Sequence, residues 1–304
     1  MAEQQANFAD RLSEAIEAKG AAVCVGIDPQ YDRLPPAMKA HGEADEPARL
    51  AKIAEFCWQV LQVVAPHTPA VKPQSAYFEA YGAPGVETYF QVVRWAHELG
   101  LLVIGDAKRN DIGATAEAYA AGHLAGPDRP DCLTVNGYFG RDGLQPFLDV
   151  CAAQGKGVFV LVRTSNPSAG QVQDFADATG KKLYQHVADM VAELGNGDGL
   201  VGRGGLSSVG AVVGATWPQE AAELRTRMPR QFILVPGYGA QGGTAADCAA
   251  SFRPDGTGAI VNASRSVLYA HKDKQYAGLD WKQAVEAAAK AFAADIASAV
   301  KKPK

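Results

Sequence analysis

Cysteine is scarce in this chain of 304 residues, and its five copies lie far apart in the sequence. None of them forms a C-x-x-C pair, and an odd number of thiols cannot all pair within one chain. This usage excludes a disulfide framework and favours reduced thiols that pack in the core as small apolar side chains. The five are Cys24, Cys57, Cys132, Cys151 and Cys248.

Long basic runs and long apolar runs are also missing. The formal net charge is −4, and basic residues form nothing longer than pairs such as Lys181-Lys182, which argues against a surface that neutralises nucleic-acid phosphates. No stretch approaches the roughly 20 apolar residues of a membrane helix. Residues 1–5 lack the basic start of a secretory signal. We therefore expect a cytoplasmic protein that binds neither nucleic acid nor a membrane.

Closely spaced metal ligands are absent as well. The six histidines form no H-E-x-x-H motif and no other close pair. The sequence therefore indicates neither a structural nor a catalytic zinc site. Metal-free chemistry is the expectation.

The chain does contain a regular alternation of short apolar runs with longer stretches whose apolar residues recur three and four positions apart. Such an alternation is typical of a parallel sheet covered by helices. The predicted strands are residues 22–27, 70–72, 101–105, 132–136, 157–162, 209–215, 231–235 and 259–262. Eight strand-helix units predict an α/β protein with one (β/α)8 TIM-barrel domain over residues 1–304, with insertions at about 31–47 and 164–208.

Charged residues follow the second and third predicted strands. Asp106 and Lys108 are two positions apart and share a face in an extended chain, Asp111 follows on the outgoing turn, and Lys72 ends the neighbouring strand. Buried charges are tolerated when opposite charges pair them, so these four predict an alternating ionic array at the barrel mouth, where such barrels carry their chemistry. For each residue alone, a structural ion pair, a helix cap or a surface lysine remains the alternative.

A second group predicts a phosphate site after the seventh and eighth strands, the usual place in these barrels. The glycine-rich segment 237–243 can direct backbone N–H groups at an anion, and Arg265 supplies a guanidinium suited to bidentate phosphate binding. The alternative for 237–243 is an ordinary flexible connection. Asp28 either opens a turn or accepts from sugar hydroxyls. Segment 163–170, which contains Ser165, is either a polar lid or a solvated loop.

Taken together, these residues resemble those of orotidine 5'-phosphate decarboxylases, most closely the longer bacterial branch of that family. The resemblance rests on the motif D-x-K-x-x-D-I-G at residues 106–113, on Lys72 one strand earlier, and on the phosphate groups at 237–243 and Arg265. It extends over the whole barrel. It implies the decarboxylation of orotidine 5'-monophosphate to uridine 5'-monophosphate and CO2 without any cofactor, which is the last step of de novo synthesis of uridine 5'-monophosphate.

The resemblance also implies roles for individual residues. Lys108 would stabilise a carbanion and then protonate it, with Asp106 near the departing carboxylate and Lys72 completing the charged catalytic group. Asp111 would reach into the neighbouring subunit's site, which implies a homodimer, and Thr115 would lie beside it. The implied substrate-binding residues are Asp28 and Lys72 at the ribose, Ser165 in a segment that departs from the shorter family members, and Gly237, Gln241, Gly242 and Arg265 around the phosphate.

Two other functions remain open from the residues alone. One is a metal-dependent sugar-phosphate aldolase or decarboxylase on the same barrel, in which Asp106 and Asp111 would surround magnesium. The other is a non-catalytic phosphate-binding regulator, in which the ionic array is only structural. Loss of ultraviolet absorbance from orotidine 5'-monophosphate in the presence of a chelator would exclude both.

Overall fold

Eight parallel β-strands form a closed barrel in this computed structural model, which describes residues 6–39, 42, 44–239 and 242–300. The strands are β1 (Val23–Ile27), β2 (Ala70–Pro73), β3 (Leu102–Arg109), β4 (Cys132–Asn136), β5 (Gly157–Arg163), β6 (Ser207–Val213), β7 (Gln231–Pro236) and β8 (Ala259–Ala263). They follow one another around the barrel in chain order, and β8 pairs with β1 to close it. The predicted (β/α)8 TIM barrel is therefore confirmed.

Each strand is followed by at least one α-helix. The helices are α1 (Phe8–Lys19), α2 (Glu46–Val64), α3 (Ala76–Glu79), α4 (Gly82–Glu98), α5 (Gly113–His123), α6 (Arg141–Gln154), α7 (Gly170–Gln173), α8 (Leu183–Leu194), α9 (Pro218–Arg227), α10 (Ala245–Ala249), α11 (Arg265–Leu268) and α12 (Trp281–Ala299). Segment 164–208 contains α7 and α8, and the described part of 31–47 contains two 3-10 turns. That both segments are insertions into one domain stays a prediction. Among the described residues, no helix is long and apolar enough to cross a bilayer.

Alternation of side chains along the strands sorts the apolar residues into two layers. Those facing outward pack beneath the helices, and those facing inward fill the barrel. The inward layer contains Cys24, Ala70, Ile104, Cys132, Phe159, Val212, Phe232, Leu234 and Ile260. All five cysteines are free and buried, as expected, and burial raises the pKa of the Cys24 thiol to about 12.

Helix α1 covers the N-terminal end of the barrel, a role that the strand-helix alternation does not predict. Its Phe8 ring meets the Phe159 ring edge-on, with 6.3 Å between centroids. The Asp10 carboxylate accepts the backbone N–H groups of Arg203 and Gly204 at 2.9 and 3.0 Å, which ties the glycine-rich loop before β6 to the helix. Protein therefore fills this end, and the cavity described below opens at the other.

Strand β3 differs most from its prediction. The sequence pattern predicts residues 101–105, whereas the strand continues to Arg109. Its register against β4 shifts on the way, because Gly105 pairs with Leu133 while Arg109 pairs with Val135. Such a bulge lets a strand continue while it turns individual side chains in new directions. Asp106 and Lys108, expected just beyond the strand, therefore lie within it, whereas Asp111 follows it.

Candidate active site

A cavity of about 440 Å³ opens at the carboxyl ends of the barrel strands. This is the end at which (β/α)8 barrels carry their active sites. Of the residues singled out in the sequence, those that line the cavity are Asp28, Lys72, Asp106, Lys108, Ser165, Gly237 and Arg265. These residues come from six separate parts of the chain, so the fold brings together most of the predicted site.

The Lys72–Asp106–Lys108 triad forms one wall of this cavity. Lys72 Nζ lies 2.6 Å from Asp106 Oδ2, and Lys108 Nζ lies 2.5 Å from Asp106 Oδ1. Lys72 and Asp106 are 5% and 6% exposed, whereas the Lys108 side chain is 46% exposed. One ammonium is therefore fixed in the wall while the other reaches into the open space, where a ligand can meet it.

The charges of the triad stabilise one another. Burial alone would raise the pKa of Asp106, but the two lysine ammonium groups outweigh it and hold that pKa well below its usual range. Burial likewise opposes the charged form of Lys72, and the carboxylates of Asp106 and Asp28 reverse the effect and hold the pKa of Lys72 above its usual value. The carboxylate stays ionised at neutral pH, and so does the buried ammonium.

Thr134 on β4 completes the wall, although the sequence pattern did not single it out. Its Oγ1 lies 2.9 Å from Asp106 Oδ1 and accepts the backbone N–H groups of Ala107 and Lys108. The available signal was a polar residue at an inward-facing position of an otherwise apolar strand. That signal is weak in sequence because a threonine in a strand is ordinary.

The floor of the cavity on the opposite side is apolar. Leu161 on β5, Val212 on β6 and Leu234 on β7 line it. All three lie within predicted strands and were not singled out for the site, since short apolar strand residues give no sign of whether a ligand or another side chain covers them. The site therefore joins a charged half on β2–β4 to an apolar half on β5–β7.

Two unpartnered acceptors lie on the β1 and β8 side. Asp28 Oδ1 and Asn262 Oδ1 are buried without a hydrogen-bond partner among the described residues, and both residues line the cavity. Asp28 was predicted, and Asn262 was not. Strand β1 approaches the end of β8 so closely that a Cβ at Gly26 would lie 1.9 Å from Ser264 Oγ. Glycine at this position lets the acceptors converge, and they suit ligand hydroxyl groups.

The predicted phosphate end is partly assembled in the cavity. Gly237, which follows β7 with φ of 107°, and Arg265, which begins α11, both line it. Gly242 does not line it, and its N–H donates to Gly239 O at 2.9 Å inside the loop. Gln241 lies outside the described residues. Gly237 follows the strand that carries Leu234, so this group adjoins the apolar half of the cavity.

The loop after β5 enters the cavity with Ser165, between Thr164 and Asn166. The Thr164 carbonyl accepts the Trp217 indole N–H at 3.0 Å, and Gln173 Oε1 accepts the Thr164 N–H at 3.0 Å. These bonds anchor the start of the loop, so Ser165 has a defined place over the apolar floor. Whether the segment acts as a lid or as a solvated loop, these hydrogen bonds hold its start beside the cavity.

Asp111 and Thr115 do not line the cavity of their own chain. Thr115 is exposed on α5, and the Asp111 carboxylate accepts the N–H of the next residue, Ile112, at 2.8 Å. Three members of the predicted four-membered array therefore meet within one chain. The fourth, Asp111, lies outside the cavity, where its backbone oxygen and the Phe139 Cβ both stand 2.9 Å from the place a Cβ would take at Gly143.

Fold and cavity together define a (β/α)8-barrel protein with a charged pocket at the carboxyl ends of its strands. Residues 21–279 match the family described as Orotidine 5'-phosphate decarboxylase / HUMPS. The chain is 44% identical to an orotidine 5'-phosphate decarboxylase of Rhodopirellula baltica and 42% identical to one of Deinococcus radiodurans, with 92% of this chain and 96% and 94% of those proteins covered. It matches the structure of Leishmania donovani OMP decarboxylase with a TM-score of 0.76 and 32% identity, over 97% of this chain and 98% of the other. The chain belongs to this family.

Proposed function

We propose that the chain converts orotidine 5'-monophosphate to uridine 5'-monophosphate and CO2, the last step of de novo uridine 5'-monophosphate synthesis. Its membership of the family and the names of its relatives support this activity. The observation that carries the proposal is the Lys108 ammonium, which reaches into the cavity while it is bound to a buried, ionised Asp106.

The reaction demands stabilisation of a carbanion. When the carboxylate leaves as CO2, the electron pair of the broken bond stays on an sp2 ring carbon, with no adjacent group to take it. The reaction uses no cofactor as an electron sink, so the side chains of the protein must stabilise this charge. The Lys108 ammonium stabilises the developing negative charge, then donates its proton to the carbon and recovers one from solvent.

Asp106 serves this lysine in two ways. It fixes Nζ at 2.5 Å, and because Lys72 holds its other oxygen, the carboxylate cannot turn away. An ionised Asp106 also repels a substrate carboxylate placed against Lys108, and that repulsion disappears once neutral CO2 has formed. The apolar floor of Leu161, Val212 and Leu234 accepts the neutral product of that step without a desolvation cost.

Substrate binding uses the rest of the cavity. The Asp28 carboxylate, whose Oδ1 has no hydrogen-bond partner among the described residues, and the Lys72 ammonium bind the ribose hydroxyls. Arg265 grips the phosphate with Gly237, and we assign Gln241 and Gly242 to the same loop-phosphate contact. Ser165 meets the pyrimidine from the β5 loop. Binding energy from the phosphate, far from the reacting carbon, then stabilises the transition state.

We propose that the enzyme works as a homodimer in which Asp111 and Thr115 complete the partner's site. The rim around Asp111 carries large apolar side chains that are exposed in the single chain, Tyr138 at 78%, Ile112 at 55% and Phe139 at 49%. Exposed apolar groups of this size, clustered on one rim, are typical of protein interfaces. A cytoplasmic location stays a prediction from the sequence.

The alternatives lack support. A magnesium ion needs free carboxylate oxygens, but both oxygens of Asp106 are bound by lysine ammonium groups, which would repel a cation. In the part of the chain that is described, no cluster of three acidic, histidine or cysteine residues could hold a metal. A phosphate-binding regulator finds no support among the relatives, which are named as decarboxylases.

The activity is tested by mixing the protein with orotidine 5'-monophosphate and following its ultraviolet absorbance in the presence of a chelator. Steady loss of absorbance with release of CO2 is the expected result. Unchanged absorbance, or a loss that needs added magnesium, would contradict the proposal.

The shared site is tested by mixing two inactive variants, Lys108→Ala and Asp111→Ala. In a mixed dimer one of the two sites has both residues intact, so random exchange of subunits restores about a quarter of the wild-type activity. If each site lies within one chain, the mixture stays as inactive as its components.

A further inference from the structure

We propose that Thr134 is the positioning residue that holds Lys108 and Asp106 in their reactive arrangement. This inference deepens the proposed decarboxylation and rests on it. Thr134 is 2% exposed, lies in the middle of β4 and lines the cavity. Between the pairs Gly105–Leu133 and Arg109–Val135, it is the one residue of β4 that stands opposite the bulge of β3.

The bulge interrupts the regular backbone hydrogen bonds between β3 and β4, and the hydroxyl group of Thr134 provides contacts in their place. Its oxygen accepts the N–H of Ala107 at 3.1 Å and the N–H of Lys108 at 3.0 Å. Its own proton goes to Asp106 Oδ1 at 2.9 Å, since an ionised carboxylate can only accept. A hydroxyl offers one donor and two acceptor positions, so all three are used on three consecutive residues.

The backbone conformation of Lys108 explains why these three hydrogen bonds are needed. Its φ of 49° lies in the left-handed region, and among the described residues no other non-glycine residue has a positive φ. A residue with a Cβ keeps this conformation only where its surroundings enforce it. The conformation sets the direction of the Cα–Cβ bond, and therefore decides whether the ammonium group ends beside the substrate carbon.

The contacts that hold the two N–H groups lie on one side of β3 only. On the outer side of β3, the Arg109 guanidinium donates to Ala107 O at 3.0 Å and leaves the two N–H groups untouched. On the cavity side, both N–H groups depend on the one hydroxyl, which also binds Asp106 Oδ1 beside the Lys108 ammonium. Removing the hydroxyl frees the backbone of Lys108, while the Asp106 carboxylate keeps its two lysine partners and the ribose and phosphate groups keep their own anchors.

The test compares Thr134→Val, which keeps the shape and removes the hydroxyl, with Thr134→Ser, which keeps the hydroxyl. We expect Val to lower kcat about 100-fold, the effect of roughly 1 Å of misplacement, with KM and uridine 5'-monophosphate affinity changed by less than about three-fold. Ser should restore kcat to within about five-fold of wild type. A role in folding alone would lower the free energy of unfolding without this split.

Hydrogen exchange of the Ala107 and Lys108 amides is the second measurement, and it does not depend on activity. Both amides should lose protection in Thr134→Val and keep it in Thr134→Ser. A Val variant with wild-type kcat, a Ser variant as slow as Val, or unchanged amide protection in Val would overturn the inference. If instead the wild-type protein fails to decarboxylate orotidine 5'-monophosphate, the proposed function falls, while the exchange data still decide whether Thr134 holds the bulge.

Discussion

Two buried aspartates, one at each end of the barrel, have almost the same charge environment. Asp131 immediately precedes β4 at the end covered by α1 and is 4% exposed, and Asp106 on β3 at the open end is 6% exposed. Each accepts hydrogen bonds from two basic side chains. For both, burial raises the pKa, and the basic partners outweigh it and hold the pKa well below its usual range.

Their neighbours differ. The Asp131 carboxylate lies 2.6 Å from the Arg11 guanidinium and 3.0 Å from the His97 ring, and it accepts the N–H of Val103 at 2.9 Å. These contacts tie α1, α4 and β3 together. Asp106 instead has a cavity beside it and a half-exposed lysine partner in a disfavoured backbone conformation. A buried ion pair by itself therefore does not identify a site. Access and backbone strain separate the proposed catalytic pair from the structural one.

The largest expected effect is that of Lys108→Ala. Because one ammonium provides both the electrostatic stabilisation and the proton, its loss should lower kcat/KM by a factor of at least about 10,000. Affinity for uridine 5'-monophosphate, measured by calorimetry, should change little, since Arg265 and Asp28 remain. If the turnover of Lys108→Ala stays within ten-fold of wild type, the ion pair of Asp106 is as structural as that of Asp131.

Asp131→Asn should have the opposite profile. It removes one charge from a buried ion pair and should lower the free energy of unfolding by about 3 kcal/mol, as measured by urea denaturation. The kcat of the folded fraction should equal that of wild type. A large drop in kcat at unchanged stability would contradict the comparison, because it would show that Asp131 at the closed end contributes to catalysis.

Arg265→Ala tests the phosphate end. Loss of one charge-assisted contact should raise KM for orotidine 5'-monophosphate about 10- to 100-fold. Orotidine without its phosphate serves as the control substrate, since it should react equally slowly with both forms. If KM for the phosphorylated substrate does not change, Arg265 does not hold the phosphate.

The smallest effect is in the acid stability. A carboxylate whose pKa is lowered on folding contributes stability that is fully present above its unfolded value, 3.8 for Asp131, and is lost as the pH falls below it. Between pH 5 and pH 3 this loss amounts to about 1 kcal/mol per carboxylate. Asp131→Asn should therefore lose about 1 kcal/mol less than wild type over this range. Parallel pH curves would show that the folded pKa of Asp131 is not lowered.

The strand-helix alternation predicted the fold and most of the cavity because both depend on local patterns. Strand β4 has the predicted bounds, and the other strands apart from β3 lie within about two residues of theirs. Since a barrel brings all carboxyl ends together, residues at strand ends predict the members of a site without their distances.

The remainder depends on contacts that no local pattern contains. The bulge that extends β3 and the left-handed backbone of Lys108 exist because Thr134, on the neighbouring strand, accepts two N–H groups. Asn262 and the apolar floor read as ordinary strand residues until the barrel closes. Helix α1 has no place in a strand-first repeat, so its role at the barrel base becomes clear only from its packing.

The central claim is that Lys108 delivers a proton to a ring carbanion, and hydrogen exchange into the product tests it most directly. A group that protonates this carbon must also remove the same proton, so the enzyme should exchange that ring hydrogen of uridine 5'-monophosphate for deuterium in heavy water, as followed by NMR. We predict exchange with the wild type and none above background with Lys108→Ala. Equal exchange rates for the two proteins would contradict the account.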